Sequence, residues 1–126
     1  MPARFRSRRH LRTGAAFDRV FKQGARHGGR LFLVVAAPNG FTFDRLGLAV
    51  SRRVGGAVAR NRARRLLRES FRRLERPRGG GADLVVVAHP EIVGRAQAEV
   101  DREFRERIRR VKRTAGLAGS GPSPAR

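Results

Sequence analysis

The 126-residue chain has no cysteine, no tryptophan and no tyrosine. Without cysteine it forms no disulfide, no thiolate metal site and no Cys nucleophile, which is compatible with a reducing cytoplasm, the compartment expected here. Without tyrosine or tryptophan, phenylalanine is the only ring available for stacking. Long apolar runs are missing too: the longest, residues 31–37, is far too short to span a bilayer, so no membrane partner is expected. Residues 1–12 lack the apolar stretch of a secretory signal. His10, His27 and His89 stand apart from one another, and neither a Walker-type loop nor a zinc-ligand spacing occurs. No catalytic residues are expected in the chain, and no metal ligands can be named.

Acids are the scarcest class relative to their opposites. Asp and Glu number 10 against 30 Lys and Arg, a formal charge of +20. Solubility of a small domain needs a net charge of only about 2 to 8. A surplus this large repels itself unless a polyanion screens it, and it points to nucleic acid. Only Lys22 and Lys112 are lysine. Arginine favours bidentate phosphate contacts and stacking on bases over diffuse charge.

What remains is enough for one domain with a modest core, hydrophobic residues making up 40% of the chain. Residues 1–12, with Arg4, Arg6, Arg8, Arg9 and Arg12 and little to bury, read as a basic arm that orders on RNA. Residues 13–112 read as the folded domain, and 113–126, rich in Gly, Ser, Pro and Ala, as a disordered tail. Thr13 would cap a first helix bearing Phe17, Val20 and Phe21, with Gly24 stopping it. Gly28-Gly29 breaks the chain before a strand over 31–37, and Pro38-Asn39-Gly40 reads as a turn. A second strand follows around 46–51. Its Gly47, Ala49 and Ser51 face would let something approach closely. A long helix is expected over 57–74, ended by Pro77 and the glycines at 79–81, then a strand over 84–88 and a helix over 95–111. In that last helix Asp101, Glu103 and Glu106 would pair with Arg105, Arg107 and Arg110 one turn on, making it a supporting element. The expected fold is α+β, in the order α-β-β-α-β-α.

The helix over 57–74 carries the sharpest signal. At 100° per residue, Ala59, Ala63, Leu66, Leu67, Ser70, Phe71 and Leu74 form a core stripe, while Asn61, Arg64, Arg65, Arg68 and Arg72 share the opposite side. A solvated helix face is normally laced with opposite charges, because like charges a turn apart repel. Here Arg64 and Arg68, then Arg68 and Arg72, are same-sign neighbours at i,i+4, with no acid among them. Ser51-Arg52-Arg53-Val54-Gly55-Gly56 leads into this helix, where small residues expose backbone N–H groups to a phosphate at the positive end of the dipole.

The run Arg60-Asn61-Arg62-Ala63-Arg64-Arg65-Leu66-Leu67-Arg68-Glu69-Ser70-Phe71 resembles the Arg-Asn-Arg signature of the bacterial ribonuclease P protein component. Leu46 to Val58 before it, the helix around Phe17-Asp18-Arg19-Val20-Phe21-Lys22-Gln23-Gly24, and Ala82-Asp83-Leu84-Val85-Val86-Val87-Ala88 are also similar to that family, in its order, over about residues 5–112. The resemblance implies a central sheet flanked by helices with an unusual left-handed crossover. It implies a subunit of a holoenzyme that removes the 5′ leader of precursor tRNA, the catalytic RNA subunit hydrolysing the phosphodiester with Mg²⁺ bound mainly through the RNA. The protein would be a monomer in a 1:1 complex with that RNA. Arg52, Arg53, Arg60, Asn61, Arg62, Arg64, Arg65 and Arg68, with Arg72 on the same face, would then contact the RNA subunit. Phe17, Phe21, Leu33 and Val35 would line the cleft for the single-stranded leader. Val35 stands where proteins of this family often carry tyrosine. A structural RNA-binding protein, such as a ribosomal protein of similar fold, is the alternative reading of the composition.

Overall fold

A computed structural model describes residues 9–74 and 81–117. Its order is α1 (Gly14–Gln23), β1 (Ala25–Gly28), β2 (Phe32–Pro38), β3 (Arg45–Ala49), α2 (Ala57–Arg73), β4 (Ala82–Ala88), a 3-10 turn at Pro90–Ile92 and α3 (Gln97–Thr114). The four strands make one sheet in the order β1-β2-β4-β3, with β3 and β4 parallel and the other pairs antiparallel. The α+β expectation holds, with one strand more than the sequence suggested.

That extra strand is Ala25-Arg26-His27-Gly28, a segment with no apolar alternation. It is an edge strand held by its backbone pairing to β2, with Gly29 N–H donating to the Phe32 carbonyl to close the hairpin. A strand of this kind leaves almost no mark on side-chain pattern.

Strands β2 and β4 are central and apolar on both faces, which explains their near-continuous Val, Leu and Ala content. Phe32, Val34, Ala36, Leu84, Val86 and Ala88 join a core made with α2 and α3, centred on Leu67, Phe104 and Val100. Val35, Ala37 and Val85 face the other way, into a smaller core beneath α1 with Val20 and Leu11. The α2 stripe buries Ala63, Leu66, Leu67, Ser70 and Phe71, and α3 buries Val100, Phe104, Ile108 and Val111, as their helical spacing predicts.

Thr13 caps α1 as expected, its Oγ1 accepting from Ala16 N–H at 3.0 Å. The helix ends at Gly24, whose N–H donates to the Val20 carbonyl, and only glycine fits there, since a Cβ would lie 2.5 Å from that carbonyl oxygen and 2.8 Å from that of Ala36. The fold begins before Thr13: Leu11 is buried, and its N–H donates to the Leu46 carbonyl at 2.9 Å. Arg9 donates from Nε to the Asp44 carbonyl and lies over the rings of Phe43 and Phe71. The segment expected as a basic arm thus has its last residues seated on the domain, and residues 1–8 lie outside the described residues. At the other end Leu117 packs on the main core, so the chain stays folded past the boundary expected at 113, and the rest of the expected tail, 118–126, is outside the described residues.

Asp83, fully buried at the start of β4, joins three elements. It accepts from Arg45 Nε (2.8 Å) and Nη2 (2.7 Å) on β3, from Asn39 Nδ2 (2.9 Å) in the loop after β2, and from Arg19 Nη2 on α1. Burial opposes its ionisation, but the hydrogen bonds from Arg45, Asn39 and Arg19 more than offset this and hold its carboxyl below the ordinary aspartate range. Asp44 is buried as well and accepts from Ala82 N–H and from Lys112 Nζ, both near 2.8–2.9 Å.

Candidate nucleic-acid interface

Helix α2 presents its arginines as the wheel predicts. Asn61, Arg62, Arg65, Arg68 and Arg72 are exposed, and Arg60 and Arg64 half-buried, while the opposite stripe is sealed. Arg64 Nη1 donates to Asn61 Oδ1 at 2.9 Å, which fixes two polar groups of the face relative to each other. Arg64, Arg65 and Arg68 have no carboxylate within ion-pair distance among the described residues. Arg72 differs. It forms an ion pair with Glu69, which also holds Arg73, so the far end of the row is partly neutralised. At 100° per residue Glu69 lies on a flank of the helix, and the reach of both long side chains closes that gap.

Before the helix, Ser51 to Val54 make a turn in which Val54 N–H donates to the Ser51 carbonyl and Gly55 N–H to that of Arg52. Gly55, at φ +147°, reverses the chain where a side chain would be strained. Gly56 then caps α2 without a side-chain bond, and no acid stands in the first turn. Arg52 and Arg53 are exposed beside that end.

On the α1 side of the sheet the register sets three rows: Leu33, Val87 and Ala49; Val35, Val85 and Gly47; Ala37, Asp83 and Arg45. Helix α1 covers the second and third rows. Val20 packs with Val35 and Val85, Arg19 reaches Asp83, and Phe17 lies over Gly47 so closely that a Cβ there would stand 2.6 Å from its ring. The first row is only half-covered, and Leu33 and Val87 pack beside the half-buried Phe17 and Phe21. The guanidinium of Arg26 sits 5.7 Å from the centre of the Phe21 ring and donates to the Phe21 carbonyl. Three of the four expected cleft residues, Phe17, Phe21 and Leu33, therefore border one open end of the face. Val35 does not: its side chain has no exposed surface and belongs to the floor under α1. Ala49, on the small-residue face expected to allow close approach, shares the open row with Leu33 and with Val87, for which the sequence indicated no such role.

The cleft and the arginine face meet. A cavity of about 150 Å³ between the chain's N-terminal segment, β3 and α2 is lined by His10, Phe17, Gly47, Arg64 and Arg68 among others. Burial, then the positive charges of Arg12 and Arg68, push His10 below the ordinary histidine range. Nothing in the spacing of His10 indicated this; only the seating of Leu11 on β3 brings it there.

Together these features define a small α+β nucleic-acid-binding protein with two adjoining surfaces, one a rigid row of arginines and one a half-open apolar cleft. The family description Ribonuclease P matches residues 5–112. The ribonuclease P protein component of an Exiguobacterium species is 36% identical over 102 residues, covering 81% of this chain and 89% of that one. Among solved structures, the RNase P protein of Staphylococcus aureus superposes with a TM-score of 0.71 at 25% identity, over 82% of this chain and 95% of that one. That of Thermotoga maritima superposes with a TM-score of 0.61 at 31% identity, over 82% and 96%. The chain belongs to the ribonuclease P protein family.

Proposed function

We propose that the two surfaces divide the protein's share of ribonuclease P action, the α2 face docking on the RNA subunit and the α1-side cleft holding the leader. The chain is the protein subunit of ribonuclease P, the endoribonuclease that removes the 5′ leader of precursor tRNA, and its partners are the RNA subunit and precursor tRNA. Cleavage of the phosphodiester is the work of the RNA.

The observation that carries this division is the arginine row Arg64, Arg65, Arg68, with no carboxylate within ion-pair distance among the described residues and backed by a buried stripe. Asn61, Arg60 and Arg62 extend it, and Arg52 and Arg53 add charge at the helix start, where free N–H groups favour a phosphate. Arg72 contributes less, since Glu69 competes for it. In the cleft, Phe17, Phe21 and Leu33 receive the unpaired leader and Val35 supports them from below. Stacking on rings suits single strands, at about 1–3 kcal/mol per base.

Mg²⁺ is held by the RNA in this reading. The chain's buried carboxylates do not suit it: Asp44, Asp83 and Asp101 are turned onto Lys112, Arg19 and Arg45, and Arg73. The protein works in the cytoplasm as one copy per RNA subunit.

Reconstitution with a bacterial ribonuclease P RNA at low Mg²⁺ tests the reading. Precursor tRNA cleavage should rise well above that of the RNA alone, and the gain should vanish for the Arg64→Ala/Arg65→Ala/Arg68→Ala variant. A variant as effective as the wild type would remove the α2 face from the account.

A further inference from the structure

Helix α3 carries a second arginine row. Arg102, Arg105, Arg109 and Arg113 are all exposed, and at 100° per residue they fall within about 80° of one another, opposite Val100, Phe104, Ile108 and Val111. The row is about 16 Å long. From the sequence, the acids of α3 should neutralise it. The structure turns most of them elsewhere. Glu99 caps the helix's own start by accepting from Ala96 N–H at 2.9 Å. Asp101 faces α2, accepting from Ser70 Oγ at 2.6 Å, Gln97 and Arg73, and not from Arg105. Glu103 accepts from Leu31 N–H at 2.8 Å, while Arg107 donates to the Gly28 carbonyl. Glu99 also pairs with Arg95 and feels the charge of Arg102, and Glu106 holds Arg109 and Arg110. Arg102, Arg105 and Arg113 have no carboxylate within ion-pair distance among the described residues.

Two plain explanations fall short. Compensation of the helix dipole suits Lys112 and Arg113 in the last turn, but not Arg102 and Arg105 in the first half. An ordinary solvated face would keep acids at i±4, whereas Arg105, Arg109 and Arg113 are successive like-charge neighbours. The row also ends in a built feature. Strand β1 brings His27 within 3.3 Å of Thr114 Oγ1, and these two with Arg109, Arg110 and Arg113 line a cleft of about 280 Å³ that has no acid in its wall.

We infer that the outer face of α3, from Arg102 to the His27–Arg113 cleft, is a second docking surface for the phosphodiester backbone of the RNA subunit. No aromatic or large apolar side chain lies on the stripe, so it reads charge and shape and not bases. The RNA subunit is the occupant because of where the row lies. α3 packs on the sheet face formed by Phe32, Val34 and Ala36, opposite the face with Leu33 and Val87. A precursor tRNA with its leader in the α1-side cleft sits across the sheet from it. On α2, the side turned to α3 is that of Leu66, Ser70 and Arg73, so the α2 row points away from the α3 row. One large folded RNA embracing the domain meets both.

The test uses the full chain and a bacterial ribonuclease P RNA. In an Arg102→Gln/Arg105→Gln/Arg113→Gln variant, the log–log salt slope of RNA-subunit binding should shrink by about 0.7 to 0.9 per phosphate lost, so by about 2 to 3 if each arginine holds one. Hydroxyl-radical protections on the RNA should disappear at a set of nucleotides distinct from those lost with the α2 triple variant, whose own failure would instead strike the α2 reading. Discrimination between tRNA with and without a leader should stay at the wild-type value. An unchanged slope and footprint would overturn the inference. So would loss of the same protections in both variants, or an effect confined to precursor tRNA binding by the assembled holoenzyme.

Discussion

Phe17 of α1 rests on Gly47 of β3, its ring occupying the space that any side chain at position 47 would need. A Cβ there would stand 2.6 Å from the ring and 3.1 Å from Leu11 Cβ, so Gly47→Ala must push α1 outward or tilt the ring. Overpacking of this kind costs about 1–3 kcal/mol. Denaturant unfolding should show that loss, and the affinity advantage of leader-bearing tRNA over mature tRNA should fall with it. A stability loss with that advantage intact would separate Phe17 from leader binding.

Asp83 binds α1, β3 and the loop after β2 to one carboxylate, and Asp83→Asn leaves Arg19 and Arg45 facing each other without it. Removing one partner of a fully buried ion pair costs about 3–5 kcal/mol; the guanidiniums left here are partly exposed to solvent, so the loss should fall below that range. Because the folded-state pKa of Asp83 is depressed, its contribution is complete above the unfolded value of about 3.9 and is lost as pH falls through that value toward the folded one. Wild-type stability should therefore drop between about pH 5 and pH 2, and Asp83→Asn should show a shallower drop. Asp101, also depressed against burial by Ser70, Gln97 and Arg73, keeps the remainder. Parallel acid-unfolding curves for the two proteins would contradict this role.

The elements that side-chain period encodes were legible: Thr13 and Gly24 bound α1, and the stripes of α2 and α3 bury as their spacing requires. So was the close approach at Gly47. What stayed hidden depends on contacts distant in sequence. β1 exists through backbone pairing to β2, and Leu11 is buried because its N–H finds Leu46, 35 residues on. Val35 was expected in the leader cleft, but in the Val35–Val85–Gly47 row it lies beneath α1, and that row exists only once the register is set. The i,i+4 acids of α3 looked like partners for their own arginines until α2 and Leu31 supplied better ones.

Arg68 and Arg72 lie one turn apart on α2, yet only Arg72 carries a carboxylate partner, Glu69, which raises its pKa. Arg68→Ala should reduce the salt slope of RNA-subunit binding by about 0.7 to 0.9, the value for one phosphate contact. Arg72→Ala should change it far less. Glu69→Ala frees Arg72, while Arg73 stays on Asp101, and should steepen the slope. Equal effects of the two arginine variants would mean the ion pair is given up on docking.

His10 faces Arg64 and Arg68 across the small cavity and Arg12 along the chain, and burial with the charges of Arg12 and Arg68 lowers its pKa. In the free protein a depressed histidine stabilises the fold fully above the unfolded value of about 6.5, and this is lost as pH falls below it. Burial is the larger cause of the shift and persists on docking, but a phosphate seated on Arg68 beside the cavity would offset the repulsion and favour the protonated ring. Docking then takes up a proton, and affinity for the RNA subunit should increase as pH falls from about 7 to about 5.5. His10→Gln should flatten that dependence without altering affinity at pH 8. A pH profile identical in the two proteins would show that phosphates do not reach the cavity, and the junction between arginine face and cleft would then lie free of RNA.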